Sequence, residues 1–166
     1  MTTETLKLIE PGSFLFHNNR RAQGATTTLR HLLSKLQVPV SLYFNLREIN
    51  ECGLENISFL IDILEKQRQS KQRMFVAIDD VQKKGFSLLK DYILNARHSN
   101  LTLACVYSGD VTPEIKCVCN TFLDLPSFGR WRASWYENGE EKREEYLFDQ
   151  REFRFAHDQR ESPIHL

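Results

Sequence analysis

Met74-Phe75-Val76-Ala77-Ile78-Asp79-Asp80 is the stretch on which the fold turns. Five apolar residues run without a polar alternate and stop at two acids. A strand of that kind is covered on both faces, as in a parallel sheet. The flanks agree. Upstream, Leu54, Ile57, Leu60, Ile61 and Leu64 lie on one helical face within 54–68. The polar, basic run Lys66 to Arg73 ends that helix. Downstream, Phe86 to Ala96 reads as a helix through Leu88, Leu89, Tyr92, Ile93 and Leu94, and Leu101 to Tyr107 is a second wholly apolar strand. Further out, Ser13 to Phe16 follows Pro11-Gly12 and Val40 to Leu46 follows Pro39, both strand-like. Leu29, Leu32, Leu33 and Leu36 give Thr26 to Leu36 a helical spacing. Pro113 to Asn120 is expected as a short helix and Phe122 to Leu125 as a strand. Strand and helix thus alternate from 13 to 125. That order implies βαβ units, right-handed crossovers and a parallel sheet with helices on both faces.

After Pro126 the pattern changes. Trp131 to Tyr136, Glu144 to Phe148 and Glu152 to Phe155 are aromatic with partial alternation, and Asn138-Gly139 is a turn signal between the first two. An antiparallel hairpin or meander at the sheet edge is expected. The reading is one domain over 1–166: a core at 13–125, an added β-hairpin at 126–156 and a flexible tail at 157–166.

The 166 residues carry 22 Lys+Arg against 22 Asp+Glu, with 41% hydrophobic and 27% charged residues. That balance argues against a polybasic nucleic-acid binder and leaves a local basic patch open. No run approaches the ~20 apolar residues of a membrane span. Met1-Thr2-Thr3-Glu4-Thr5 lacks the basic start and apolar run of a signal peptide, so an intracellular or virion location, without secretion or membrane, is expected. Cys52, Cys105, Cys117 and Cys119 are then expected as free thiols. The Cys117-x-Cys119 spacing is wrong for the usual zinc pairs, and Cys105 sits in an apolar run, where a thiol behaves as a small hydrophobe.

Two features carry candidate chemistry. In an open α/β sheet, ligands bind outside the carboxyl ends of the strands. An acid there, such as Asp79 or Asp80, holds Mg²⁺, orients an attacking water or simply caps a turn. The second feature is Gly24-Ala25-Thr26-Thr27-Thr28-Leu29-Arg30, placed like a phosphate loop between the first strand and its helix. Against G-x-x-x-x-G-K-[ST], Gly24 takes the second glycine and Thr26 the Mg²⁺ hydroxyl, while Asn19 replaces the first glycine and Ala25 the lysine. Moving the hydroxyl to Thr28 puts Thr27 in the lysine's place. Either register loses the point charge on the β/γ-phosphates. Without that charge the threonines also read as a plain helix cap.

Taken in order, these pieces resemble the poxvirus-type genome-packaging ATPases of the FtsK–HerA group of P-loop NTPases. Gly24 to Leu33 parallels the phosphate loop and its helix, and Leu60 to Arg73 the helix and basic tail before the second motif. Met74 to Val81 is similar to the Walker B strand, and Leu94 to Ser108 to the strand led by Arg-His-x-Asn that ends in a polar sensor. The resemblance spans about 13–125, with a weaker likeness of Glu144 to Phe155 to a closing hairpin. It implies a P-loop NTPase-like α/β domain with a mostly parallel sheet flanked by helices.

It also implies ATP and Mg²⁺ as ligands and a ring-forming, DNA-translocating assembly. Gly24, Ala25, Thr26 and Thr27 fall in the nucleotide-binding loop, with Thr26 and Asp79 toward Mg²⁺. Asp80 falls at the residue that polarises the attacking water, Ser108 at the sensor, and Arg97 and His98 at a pair that contacts a neighbouring subunit or braces the sheet. Ala25 for lysine, Asn19 for glycine and Gly109 for the sensor's glutamine are departures. The expectation is therefore a pseudo-ATPase with little or no hydrolysis, a scaffold or accessory in viral DNA packaging. Its expected partners are a second copy, a paralogous ATPase or DNA. Two alternatives stand beside it. One is an active motor subunit in which Arg20, Arg21 or Arg30 replaces the lysine. The other is an AAA+-like adaptor of a replication initiator, although the helical lid of such proteins is missing from the sequence.

Overall fold

Nine strands build one sheet in the computed structural model, which describes residues 5–6, 10–17, 40–47, 55–127, 130–149 and 154–157. They are β1 (Thr5–Leu6), β2 (Gly12–His17), β3 (Ser41–Asn45), β4 (Met74–Val81), β5 (Leu101–Tyr107), β6 (Thr121–Ser127), β7 (Arg130–Glu137), β8 (Glu140–Asp149) and β9 (Arg154–His157). The helices are α1 (Glu55–Ser70), α2 (Lys83–Asn95) and α3 (Pro113–Val118), with a 3₁₀ turn at Arg97–Ser99. The strand order is β1-β9-β8-β7-β6-β2-β5-β4-β3. The stretch β6-β2-β5-β4-β3 is parallel throughout, and the rest is antiparallel. The chain is therefore an α/β protein with a mixed sheet.

Alternation along the parallel strands sorts the core into two sides. Leu15, Val76, Ile78, Leu103, Cys105 and Tyr107 form one cluster with Leu60 and Leu64 of α1, Phe86, Leu89 and Ile93 of α2, and Ile115 and Val118 of α3. Each large aliphatic side chain buried there contributes about 1.5–3 kcal/mol. The intervening residues Phe14, Phe16, Phe75, Ala77, Ala104 and Val106 point the other way and are buried too. Both faces of the central strands are covered, as the apolar run at 74–78 implies.

Element ends follow local chemistry. α1 stops through Lys71, whose φ of 54° is left-handed and whose N–H returns to Gln67 O at 2.8 Å. α3 opens on Thr112, whose hydroxyl accepts from the Ile115 N–H at 3.4 Å, with Pro113 in the first turn. Asn138 (φ 52°) and Gly139 (φ 80°) supply the left-handed pair that a tight hairpin turn needs between β7 and β8.

Several expectations need correction. β4 does not stop at the acids but runs through them to Val81, with a register shift between Ile78 and Val81. α2 starts at Lys83, ahead of Phe86. Pro126 lies inside β6, near the irregular pairing between Asp124 and Ser127, where a missing N–H is tolerated. Of hairpin and meander, the added part is the meander β7-β8-β9, and β1, which was not expected, pairs with β9 at the far edge. His157, assigned to the tail, belongs to β9. The expected helix at Thr26 to Leu36 lies outside the described residues.

Candidate functional site

β2, β5 and β4 are successive parallel neighbours, so their carboxyl ends share one edge of the sheet. From β2 the chain resumes at β3, beyond β5 and β4. From β5 it resumes at β6, beyond β2. Adjacent parallel strands whose chain departs in opposite directions mark a topological switch point, where open α/β sheets hold ligands. His17 ends β2, Tyr107 ends β5 with Ser108 next, and Asp79-Asp80 lie near the end of β4.

Asp79 is only 2% exposed. It alternates with Phe75 and Ala77, so it points to the side opposite α1–α3. Its carboxylate accepts from Tyr43 Oη at 2.8 Å and from the Asp80 N–H at 2.8 Å. Among the described residues no cation pairs with it. A buried carboxylate held by two neutral donors alone is costly, and such charges are normally paired or coordinate a metal. Asp80 is half-buried at the register shift with φ 55°, a left-handed conformation that Asp adopts more readily than most residues. Backbone of that kind gathers at functional sites.

Ser108 is exposed, and its N–H donates to Val81 O at 3.0 Å, which ties the end of β5 to the end of β4. A Cβ on Gly109 would meet Tyr107 Oη at 2.5 Å, so the structure excludes a side chain here without a shift of Tyr107. Tyr107 is 1% exposed and donates to Asp110 O at 3.1 Å. His17 ties the end of β2 to β6 and to the loop after β5: Nε2 lies 3.2 Å from Gly109 O and Nδ1 3.4 Å from Asp124 Oδ1, and the ring stacks on Phe122. A cleft of about 830 Å³ opens beside these residues between α2 and α3, lined by Lys83, Phe86, Tyr107, Ser108 and Gly109 among others. The two acids do not line it.

The sequence-derived candidates divide three ways. Asp79, Asp80 and Ser108 come together at one edge. Gly24, Ala25, Thr26 and Thr27 lie outside the described residues, as do Arg20, Arg21 and Arg30. Arg97 and His98 are exposed in the 3₁₀ turn before β5, at the opposite edge.

The chain matches no family model and no curated protein.

Tyr43 and His17 were not singled out from the sequence. His17 carried a usable signal, being polar at the end of an apolar strand that leads toward a phosphate-loop-like segment. Tyr43 carried none, because only the β3–β4 register, with Tyr43 beside Ala77 and Asn45 beside Asp79, brings its hydroxyl to the acid. Cys105 behaves as the apolar reading expects, Cys117 is exposed and Cys52 lies outside the described residues. Cys105 is buried and its thiol is pushed well up by desolvation, while burial raises Cys119 to about 12. No helix among the described residues is long and apolar enough to cross a membrane.

Proposed function

We propose that this chain is a degenerate P-loop NTPase-fold protein, related to viral genome-packaging ATPases of the FtsK–HerA group, that serves as a scaffold or accessory in packaging with little or no ATP hydrolysis. The observation that carries the reading is Asp79, a buried carboxylate without a cationic partner among the described residues, beside the switch point between β2 and β5. A hard divalent cation suits it. Mg²⁺ commonly takes one or two carboxylates and completes its shell with water and substrate phosphates. Asp79 would hold it, and Thr26 is the second group in the sequence motif. Among the described residues no cluster of three His, Cys, Asp or Glu offers an all-protein cage, which agrees with a site completed by a ligand. When bound, Mg²⁺ would neutralise phosphate charge. Asp80, beside it at the left-handed bend, would orient a water.

Ala25 supports the inactive half of the reading. No lysine stands at the phosphate-loop position in either register, and Gly109 stands at the glutamine of the sensor. Restoring that glutamine collides with Tyr107, so the departure is built into the packing. After β6 the described chain continues as strands rather than as a helical lid, which weighs against the adaptor alternative.

A steady-state Mg²⁺-ATPase assay of the wild type and Asp80→Ala tests activity, and thermal shift with Mg²⁺-nucleotide tests binding. Turnover near background in both proteins is expected. Robust turnover that Asp80→Ala abolishes would overturn the inactive reading in favour of a motor subunit. A Mg²⁺-nucleotide melting shift lost in Asp79→Asn supports the site. The absence of any shift, in wild type and in Ala25→Lys, counts against the loop assignment.

A further inference from the structure

The cleft between α2 and α3 lies outside the Asp79 site. It opens on the side of the sheet that the helices cover, whereas Asp79 points to the other side, and neither acid of β4 lines it. Its volume, about 830 Å³, is that of pockets that bury most of a drug-sized ligand. The floor is apolar and aromatic. Phe86, Tyr107 and Ile115 line it from the buried core, and the Phe86 and Tyr107 rings meet edge-on at 5.7 Å. The walls carry charge of both signs: Lys83 and Lys90 from α2, Asp110 from the loop after β5 and Glu114 from α3. One pair is internal. Lys90 Nζ donates to Glu114 Oε1 at 2.8 Å and ties the two helices together. Lys83 and Asp110 are exposed, and neither has an ion-pair partner among the described residues.

The backbone that carries these two charges is fixed. In the loop after β5, the Ser108 N–H donates to Val81 O at 3.0 Å, Gly109 O lies 3.2 Å from His17 Nε2, and Asp110 O accepts from Tyr107 Oη at 3.1 Å. Each of three consecutive residues is thus pinned. On the other wall, α2 starts at Lys83, two residues after Val81, and its first turn packs so closely that a Cβ on Gly85 would meet Leu46 Cδ1 at 2.9 Å. Val81 therefore joins the segment that presents Lys83 to the segment that presents Asp110. A site held in place before binding loses little of its interaction energy to ordering.

The lining selects the ligand by charge. An anion alone meets repulsion from Asp110, and a cation alone meets it from Lys83. A neutral apolar molecule covers the floor but desolvates both charges without pairing either. A molecule with one group of each sign on an apolar body satisfies the floor and both walls. We infer that this cleft binds such a zwitterion, the chemistry of a free aromatic amino acid or of a short apolar peptide, with its carboxylate toward Lys83 and its ammonium toward Asp110. Binding here needs neither nucleotide nor Mg²⁺, so it stands apart from the Asp79 reading.

The test is an amide chemical-shift titration by NMR of the whole chain, without nucleotide or Mg²⁺. The probes are phenylalanine, tryptophan and the dipeptide alanyl-phenylalanine, together with N-acetyl-phenylalanine, phenylalanine amide and the doubly blocked N-acetyl-phenylalanine amide. Saturable shifts at 108–110 and in the first turn of α2 are expected with the zwitterions, and the doubly blocked form should bind most weakly. Lys83→Ala should weaken phenylalanine and N-acetyl-phenylalanine by about threefold to tenfold without weakening phenylalanine amide. Asp110→Asn should weaken phenylalanine and phenylalanine amide without weakening N-acetyl-phenylalanine. Lys84→Ala, whose side chain does not line the cleft, should change none of them, and an unchanged melting temperature shows that each variant is folded. The tighter of amino acid and dipeptide names the source. No saturable binding at millimolar ligand, a doubly blocked form that binds as tightly as phenylalanine, or variants that affect every form alike overturns the inference.

Discussion

Tyr43 Oη donates to Asp79 Oδ2 at 2.8 Å, reaching from the edge strand β3 to the buried acid of β4. It is one of two donors that hold a carboxylate almost sealed from water. Tyr43→Phe leaves one oxygen of that carboxylate unsatisfied while keeping the ring. The expected cost is about 1–3 kcal/mol, read from urea denaturation at neutral pH. The same variant should shrink the melting shift induced by Mg²⁺-nucleotide. A variant as stable as wild type would show that the hydroxyl is not what secures Asp79.

Gly109 and Tyr107 are coupled through one contact. Gly109→Ala places a methyl group 2.5 Å from Tyr107 Oη and 2.7 Å from its Cζ. Overpacking of this kind costs about 1–3 kcal/mol. In a Tyr107→Phe background the nearest obstacle is gone, so the cost of Gly109→Ala should fall. The coupling term of the double-mutant cycle reads this directly. Additive effects would mean that the loop moves instead of the ring.

The thiols separate by burial. Desolvation raises Cys105 strongly and Cys119 to about 12, so neither forms thiolate near neutral pH, whereas Cys117 is exposed. In a Cys52→Ser background, a thiol-reactive disulfide reagent at pH 8 should modify one thiol quickly, and Cys117→Ser should remove that phase. The other two should react only with unfolding. Two fast thiols would contradict the packing of α3 on β5.

Glu65 predicts an acid-sensitive contact between helices. Hydrogen bonds from Arg68 and then Tyr92 hold its carboxyl below the ordinary 4.5. A depressed folded-state value contributes stability above the unfolded value, and that contribution is lost as pH falls through the folded one. Melting temperature should therefore drop below about pH 4.5 less steeply in Glu65→Gln than in wild type. The wild-type advantage at neutral pH is small, because the pair is solvent-exposed. Parallel pH profiles would exclude the contribution.

The alternation of strands and helices was legible because each element carried its own period. Leu60 and Leu64 repeat at helical spacing, and 74–78 and 101–107 are apolar throughout, as strands covered on both faces must be. The ends were harder. Asp79 and Asp80 read as a stop because acids rarely continue a buried strand, yet Tyr43 and a left-handed Asp80 let β4 pass through them. β1 was missed because two residues carry no periodicity, and its strand character comes only from pairing with β9. For the site, the sequence supplied Asp79, Asp80 and Ser108. It could not supply His17 with Asp124, or Tyr43 with Asp79, because both pairs exist only through register between strands far apart along the chain.

Thr5 lies beside Ala156, so the first described strand is completed by the last. A nascent chain leaving the ribosome amino end first must keep Thr5 and Leu6 waiting until Phe155 and Ala156 have been synthesised. Such long-range closure is slow. Removing β1 or β9 would unzip the same margin of the sheet, and that margin is where a half-made molecule is most open to pairing with another copy of itself.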